Sequence, residues 1–324
     1  MKAIILHEHG VPQEVARCEA TELPPPAPGE VRVRVLYAPI NPADVNVLQG
    51  TYPRRPVLPG TPGVEGVGEL ESGERVLLPG GWGSWREEGN VAASALIPLP
   101  AGLDAQQAAM LRINPPTALR MLRDFVSLQS GEWIVQNAAN SGVGRCVIQL
   151  SRHFGWRTLN IVRRPDLAAE LTALGADIVL VESPDLAAQI ATATNNAPIR
   201  LALNAVGGES ALALANVLAD SGVLVTYGAM ARQPMRVPNG LLIFRDIAWR
   251  GFWITRWFDR ATPAETAAMF AELGAFLAAG ALHVPIEAVY PLDEIATALA
   301  HAQRPQRGGK VLLQCAATAS ETTA

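Results

Sequence analysis

The 324-residue chain carries 26 Lys/Arg against 30 Asp/Glu, a formal net charge of −4, with 49% apolar and 17% charged residues. That length suits two domains of about 100–200 residues each, and the composition is that of an ordinary globular protein with a large core. The acidic balance argues against a nucleic-acid partner, and no apolar run approaches the roughly 18 residues of a bilayer-spanning helix, so no membrane partner is expected either.

Met1-Lys2-Ala3-Ile4-Ile5-Leu6 enters a strand directly, with neither an apolar signal core nor a cleavage site, so secretion is not expected. Cys18, Cys146 and Cys315 are odd in number and far apart, which fits a reducing compartment; the expected location is cytoplasmic. The cysteines have no metal-ligand spacing, and His7 and His9 lack a third ligand nearby, so no metal site is expected. Glu30–Tyr37 alternates charged and apolar residues, the pattern of a half-buried strand. Pro and Gly cluster at 24–29, 39–42, 50–63 and 79–83, so residues up to about 105 read as β-rich and loop-rich. Within the turn-rich segment Asn41–Pro53, Tyr52 reads from local chemistry alone as a half-buried ring in a turn. Trp82 and Trp85 are either packing residues or the wall of an apolar pocket.

From about Asp104 helix and strand alternate. Strands are predicted at Trp133–Gln136, Thr158–Val162, Ile178–Val181, Arg200–Asn204, Val223–Tyr227 and Ile247–Phe252, enough for a complete doubly wound parallel sheet. After the first comes the small-residue turn Asn137–Gly144 and an amphipathic helix to about Phe154. Strand, tight turn and helix N-terminus make a phosphate cradle, because the first N–H groups of a helix are unpaired and its dipole is positive there. The turn departs from G-x-G-x-x-G: Ala139 and Ser141 stand at the first two glycine positions and Gly144 at the third. Ser141 has no His/Asp pattern around it and is not read as a hydrolase nucleophile. The next strand ends in Arg163-Arg164, where nucleotide-binding units usually place an acid for the ribose 2′-OH. Guanidinium groups there would clamp a 2′-phosphate, so the unit reads as one for NADP(H). Thr262-Pro263-Ala264-Glu265 then opens a helix that Gly280 closes, and Lys310–Gln314 forms a last strand returning to the first domain.

Asn41-Pro-Ala-Asp-Val-Asn46, Gln49-Gly-Thr-Tyr-Pro53, Arg112-Ile-Asn-Pro-Pro-Thr-Ala118, Gln136–Gly144, Asn160–Asp166, Leu203–Gly208, Thr226–Met230, Leu241–Asp246 and Arg250-Gly-Phe-Trp253 together carry a family resemblance. The chain resembles the zinc-independent medium-chain dehydrogenase/reductase superfamily, and within it the 2-enoyl thioester reductases of the mitochondrial trans-2-enoyl-CoA/ACP type. The resemblance implies an α/β fold: a GroES-like β-rich catalytic domain from 1–110 and 256–324, and a doubly wound six-stranded Rossmann cofactor domain from 111–255. It places the catalytic tyrosine at Tyr52. It places NADPH contacts at Asn114, Asn140, Ser141, Gly142, Val143, Arg163, Arg164, Tyr227, Gly228, Ala229, Met230, Phe252, Trp253, Ile254 and Lys310. Zinc-dependent relatives keep a Cys and a His where this chain has Asn41–Asp44 and Pro62–Glu65. A homodimer joined near Leu241–Trp253 is also implied. Two departures stand out: no acidic residue separates Arg163 from Arg164, and the loop Pro53–Gly60 is short, which leaves the acyl-pocket length open.

The implied reaction is NADPH-dependent reduction of the C2=C3 bond of a trans-2-enoyl-CoA or enoyl-acyl-carrier-protein, with Tyr52 as proton donor or enolate stabiliser. The alternatives are an NADPH quinone or enone reductase of the same superfamily and a non-catalytic NADPH-binding protein.

Overall fold

The computed structural model describes residues 1–316; the tail expected to fray from Ala316 onward otherwise lies outside the described residues. Met1–Ile113 with the described residues from Ala261 onward forms one compact unit, and Asn114–Arg260 a second. The first unit begins with β1 (Lys2–Leu6), β2 (Ala16–Ala20), β3 (Glu30–Pro39), β4 (Val67–Leu70), β5 (Arg75–Leu77), β6 (Glu88–Ala92) and β7 (Ile97–Pro98). The second holds β8 (Trp133–Gln136), β9 (Arg157–Val162), β10 (Ile178–Val181), β11 (Ile199–Asn204), β12 (Val223–Thr226) and β13 (Ala248–Gly251). β14 (Ile286–Pro291) and β15 (Lys310–Gln314) complete the first.

In the first unit β3 is the hub. It pairs antiparallel with β4, β6 and β15, and β15 pairs parallel with β14. The alternation expected of Glu30–Tyr37 appears where Val33 and Val35 are buried between half-buried arginines. From Val35 to Pro39 every residue is buried, because the far half of the strand is covered on both faces. Trp85 is fully enclosed in this core, and the half-buried Trp82 donates from Nε1 to the Asn90 carbonyl at 3.1 Å beneath the Arg86 guanidinium. Both are packing residues. The helix Pro263–Ala278 opens on the Thr262–Glu265 capping box, and Gly280 follows it at φ 69°.

The second unit is a six-stranded sheet in the order β10-β9-β8-β11-β12-β13, parallel throughout. Numbered within the unit that order is 3-2-1-4-5-6, the doubly wound arrangement. Burial explains the apolar spelling of its strands. All four residues of β8 are buried, whereas the edge strands β10 and β13 have no fully buried residue. Ile134 and Val135 are fully enclosed, each contributing roughly 1.5–3 kcal/mol. The helix Gly142–Phe154 after β8 buries Val143, Val147 and Leu150, packs Ile148 in a cluster with Val162 of β9, and stops at Gly155, left-handed at φ 74°.

Candidate active site

Parallel strands put all their carboxyl ends on one edge, where doubly wound sheets bind ligands. Residues 137–143 follow β8, Arg163 and Arg164 follow β9, 227–230 follow β12, and 252–254 follow β13, so most of the expected cofactor contacts share that edge. Ser141 caps the helix, its Oγ accepting from the Gly144 N–H at 3.1 Å. The N–H groups of Gly142 and Val143 lie in the first turn, with no intrahelical acceptor. A Cβ on Gly144 would sit 2.6 Å from the Ala139 carbonyl oxygen, and one on Gly228 2.8 Å from the Ala205 carbonyl oxygen. Close approach of turn and helix therefore survives the loss of the first two fingerprint glycines. The backbone kink falls instead on Ala138, at φ 48°.

Among the described residues, Arg163 is exposed and has no hydrogen-bond or ion-pair partner, while Arg164 lies 3.6 Å from Asp166. Ala229 and Met230 are exposed; Phe252 packs edge-on against Phe125, Trp253 caps the short helix Ile254–Phe258, and Ile254 is buried. The Tyr227 hydroxyl is buried without a partner in hydrogen-bonding geometry; burial raises its pKa, and the nearby Ser141 offsets part of that rise. Asn114, the buried first residue of the helix Asn114–Asp124, also has a buried amide nitrogen with no partner. A buried phenol next to the Ser141-capped helix start and its glycine cradle, together with the unpartnered Asn114 amide, fit a polar, phosphorylated cofactor such as NADPH.

Beneath the turn lies a network of buried amides. The Gln136 side-chain nitrogen donates to the Gly144 carbonyl and to Asn160 Oδ1, at 3.0 and 2.7 Å. Asn137 donates to Asn204 Oδ1 at 2.9 Å and to Ser210 Oγ at 3.1 Å, and its Oδ1 accepts from the Ala205 N–H at 2.8 Å. Asn204 Oδ1 also accepts from the N–H groups of Val206 and Gly207. The loops after β8 and β11 are thereby laced together. In the sequence Gln136, Asn160 and Asn204 stand only inside motifs that carry the family resemblance, with no role of their own. The available signal was a lone amide inside each apolar strand, where full burial demands hydrogen-bonded partners.

In the first unit the helix Pro42–Leu48 leads into the turn that carries Tyr52. Asp44 closes the helix N-terminus, Oδ2 accepting from the Asn41 N–H at 2.8 Å. Near its other end the Asn46 carbonyl accepts from the N–H groups of Thr51 and Tyr52, at 2.9 and 3.2 Å. Gly50, at φ 72° with the His9 ring 2.9 Å from any Cβ, admits no larger residue in this turn. Tyr52 is half-buried, and Arg55 beside it donates to the Gly50 carbonyl at 2.6 Å.

Lys310 belongs to this unit too, at the start of β15. Its ammonium donates to Asn41 Oδ1, and Asn41 Nδ2 donates to Glu65 Oε1 at 2.8 Å. Glu65 Oε2 accepts from the N–H groups of Arg112 and Ile113, and Asp44 from those of Asn41 and Val64. Burial pushes the Asp44 carboxyl up to about 7 against its hydrogen bonds, and burial likewise raises Glu65 against the Lys310 charge. The Asn41 side-chain amide thus bridges the Lys310 ammonium to Glu65, while Asp44 is held by backbone N–H groups and feels the same ammonium through its charge. Among the described residues no group of three His, Cys, Asp or Glu is arranged to hold a metal ion. From the sequence Asn41–Asp44 counts as part of a resemblance motif and, with Pro62–Glu65, as a contrast with zinc-dependent relatives; the contact with Lys310 is not visible there.

A β-rich unit built from both ends of the chain, with a doubly wound unit presenting a phosphate cradle, defines a medium-chain dehydrogenase/reductase. Residues 27–101 match the alcohol dehydrogenase GroES-like domain family and 142–273 the zinc-binding dehydrogenase family. The mitochondrial enoyl-[acyl-carrier-protein] reductase of Mus musculus is 40% identical over 329 aligned positions, covering 97% of this chain and 88% of that protein. The chain belongs to this enoyl-[acyl-carrier-protein] reductase family. Among solved structures, the mitochondrial 2-enoyl thioester reductase heterodimer from Candida tropicalis is similar with a TM-score of 0.88 and 28% identity, over 97% of this chain and 99% of that one. A mycobacterial quinone oxidoreductase is similar with a TM-score of 0.86 and 25% identity, over 97% and 99% of the two chains.

Proposed function

We propose that this chain reduces the C2=C3 bond of trans-2-enoyl thioesters with NADPH. The observation that carries the reading is near-full-length similarity to enoyl-[acyl-carrier-protein] reductases, in a chain whose second unit offers a cradle suited to a phosphorylated cofactor. An enoyl thioester reductase of this fold has been solved with NADP and crotonyl-CoA.

In this reading Ser141, Gly142 and Val143 bind the diphosphate at the helix N-terminus, with Asn140 alongside. Arg163 and Arg164 bind the 2′-phosphate. Asn114, Tyr227, Gly228, Ala229, Met230, Phe252, Trp253, Ile254 and Lys310 line the remainder. When bound, NADPH supplies a hydride from its nicotinamide C4 to the β-carbon. The chain must then meet negative charge growing on the thioester oxygen and deliver a proton to the α-carbon. Tyr52 is the assigned acid, since a phenol donates through a short, directed O–H. The Asn46 carbonyl fixes its backbone. Zinc independence is part of the same reading, because the buried Asp44–Glu65 pair already faces the Lys310 ammonium.

Homodimerisation through the second unit is supported by Leu242, Ile243 and Phe244, 45%, 69% and 83% exposed, beside the edge strand β13. Light scattering that gives a monomer at micromolar concentration would count against it. A reducing, cytoplasmic setting is supported by three cysteines that form no disulfide among the described residues; the curated relatives are named as mitochondrial, and locating the tagged chain by microscopy would decide. Among the described residues no helix is long and apolar enough to cross a membrane.

Quinone reduction is the second reading, favoured by the likeness to the mycobacterial enzyme. Following NADPH oxidation at equal concentrations of crotonyl-CoA, hexenoyl-CoA and a small quinone separates the two. Efficient turnover of the thioesters is expected, and turnover of the quinone alone would reverse the assignment.

A further inference from the structure

Arg145 lies one turn into the helix that starts the phosphate cradle, with its side chain only 4% exposed. A cation there is misplaced by ordinary helix electrostatics, since the positive end of the dipole is nearby. Its contacts reach two neighbouring segments. Nε donates to the Asn140 carbonyl at 3.0 Å, and Nη1 meets Glu170 Oε1 at 2.7 Å. Glu170 stands on the helix Leu167–Leu174, which begins directly after the Arg163–Asp166 loop. One guanidinium therefore joins the turn assigned to the diphosphate and the helix behind the loop assigned to the 2′-phosphate.

We infer that Arg145 is a positioning residue for the dinucleotide phosphates, supplying a buried positive charge behind the cradle that Glu170 partly cancels. The inference rests on the NADPH reading above. A guanidinium held by a carbonyl on one side and a half-exposed carboxylate on the other keeps part of its field for an anion seated at the helix start, because burial limits solvent screening. The same Nε contact turns the Asn140 carbonyl inward, away from that anion.

The two members of the pair are then expected to act with opposite signs. Arg145→Gln should weaken NADPH binding about tenfold, the scale of one charge-assisted interaction, and Arg145→Lys, which keeps the charge, should recover part of it. Glu170→Gln should tighten binding, by about two- to fivefold given its partial exposure. The readout is equilibrium titration of nicotinamide fluorescence with the full chain, at two salt concentrations and without substrate. A purely structural brace would weaken binding in both variants. Weaker or unchanged binding in Glu170→Gln, or wild-type affinity in Arg145→Gln, overturns the proposal. If Arg145→Gln fails to fold, Glu170→Gln and Arg145→Lys still decide. If the wild-type chain shows no NADPH binding, the cofactor reading itself falls, an outcome separate from equal affinities across the variants.

Discussion

A single hydroxyl divides the reductase reading from mere cofactor binding. Tyr52→Phe removes one proton donor and leaves the Asn46 contacts to the backbone in place. Turnover with crotonyl-CoA should fall by about 10²–10⁴-fold while NADPH titrates as in wild type; near wild-type turnover would remove Tyr52 from the acid role. Arg163 and Arg164 carry the cofactor choice. NADPH should be preferred to NADH by at least about tenfold, which a clamp of about 1.4 kcal/mol provides, and the double alanine variant should lose most of that preference. Equal efficiency with both cofactors in wild type would contradict the assignment. Asp44 gives a pH signature. Its folded pKa of about 7 lies above the 3.8 of a free carboxyl, so between those values the folded chain binds more protons than the unfolded one. Stability from this group must therefore fall as pH rises through that window. Unfolding midpoints measured against pH should show less of that downward slope in Asp44→Asn; parallel curves would refute it.

At the scale of elements, what was legible followed from periodicity and caps. The apolar runs that became β8 to β13 sit within a residue or two of their expected bounds, because strands covered on both faces spell almost continuous apolar residues. The Thr262 capping box was equally readable, since its two hydrogen bonds lie within four residues. The short pieces of the first unit were less so. β14 has only half-buried or exposed residues and no alternation to betray it; it exists because β15 offers it a partner. The phosphate turn was legible as a turn, but the support beneath it was not, because Gln136 meets Asn160, and Asn137 meets Asn204, only across the sheet. The Arg145–Glu170 and Lys310–Asn41–Glu65 contacts are non-local for the same reason. Gly144 shows how tightly the element is built. Gly144→Ala puts a methyl 2.6 Å from a backbone oxygen, and such overpacking costs roughly 1–3 kcal/mol. A lower unfolding midpoint and weakened NADPH binding are expected; an unchanged protein would mean the turn yields freely.

For the whole molecule, the proposed function draws on each of the two folding units. The doubly wound unit is assigned the hydride donor, and the unit made from both chain ends the acid. Family membership came from motifs scattered over both, so it was visible before any geometry. The buried carboxylate pair and its ammonium were not, since Asp44, Glu65 and Lys310 lie far apart in the chain. The account stands or falls on where the hydride goes. With crotonyl-CoA and C4-deuterated NADPH, carrying the label on the transferred face, mass and proton NMR analysis of the product should place one deuterium on the β-carbon of a saturated butyryl thioester. Recovery of unreduced crotonyl-CoA, or of label at the carbonyl carbon, would contradict it.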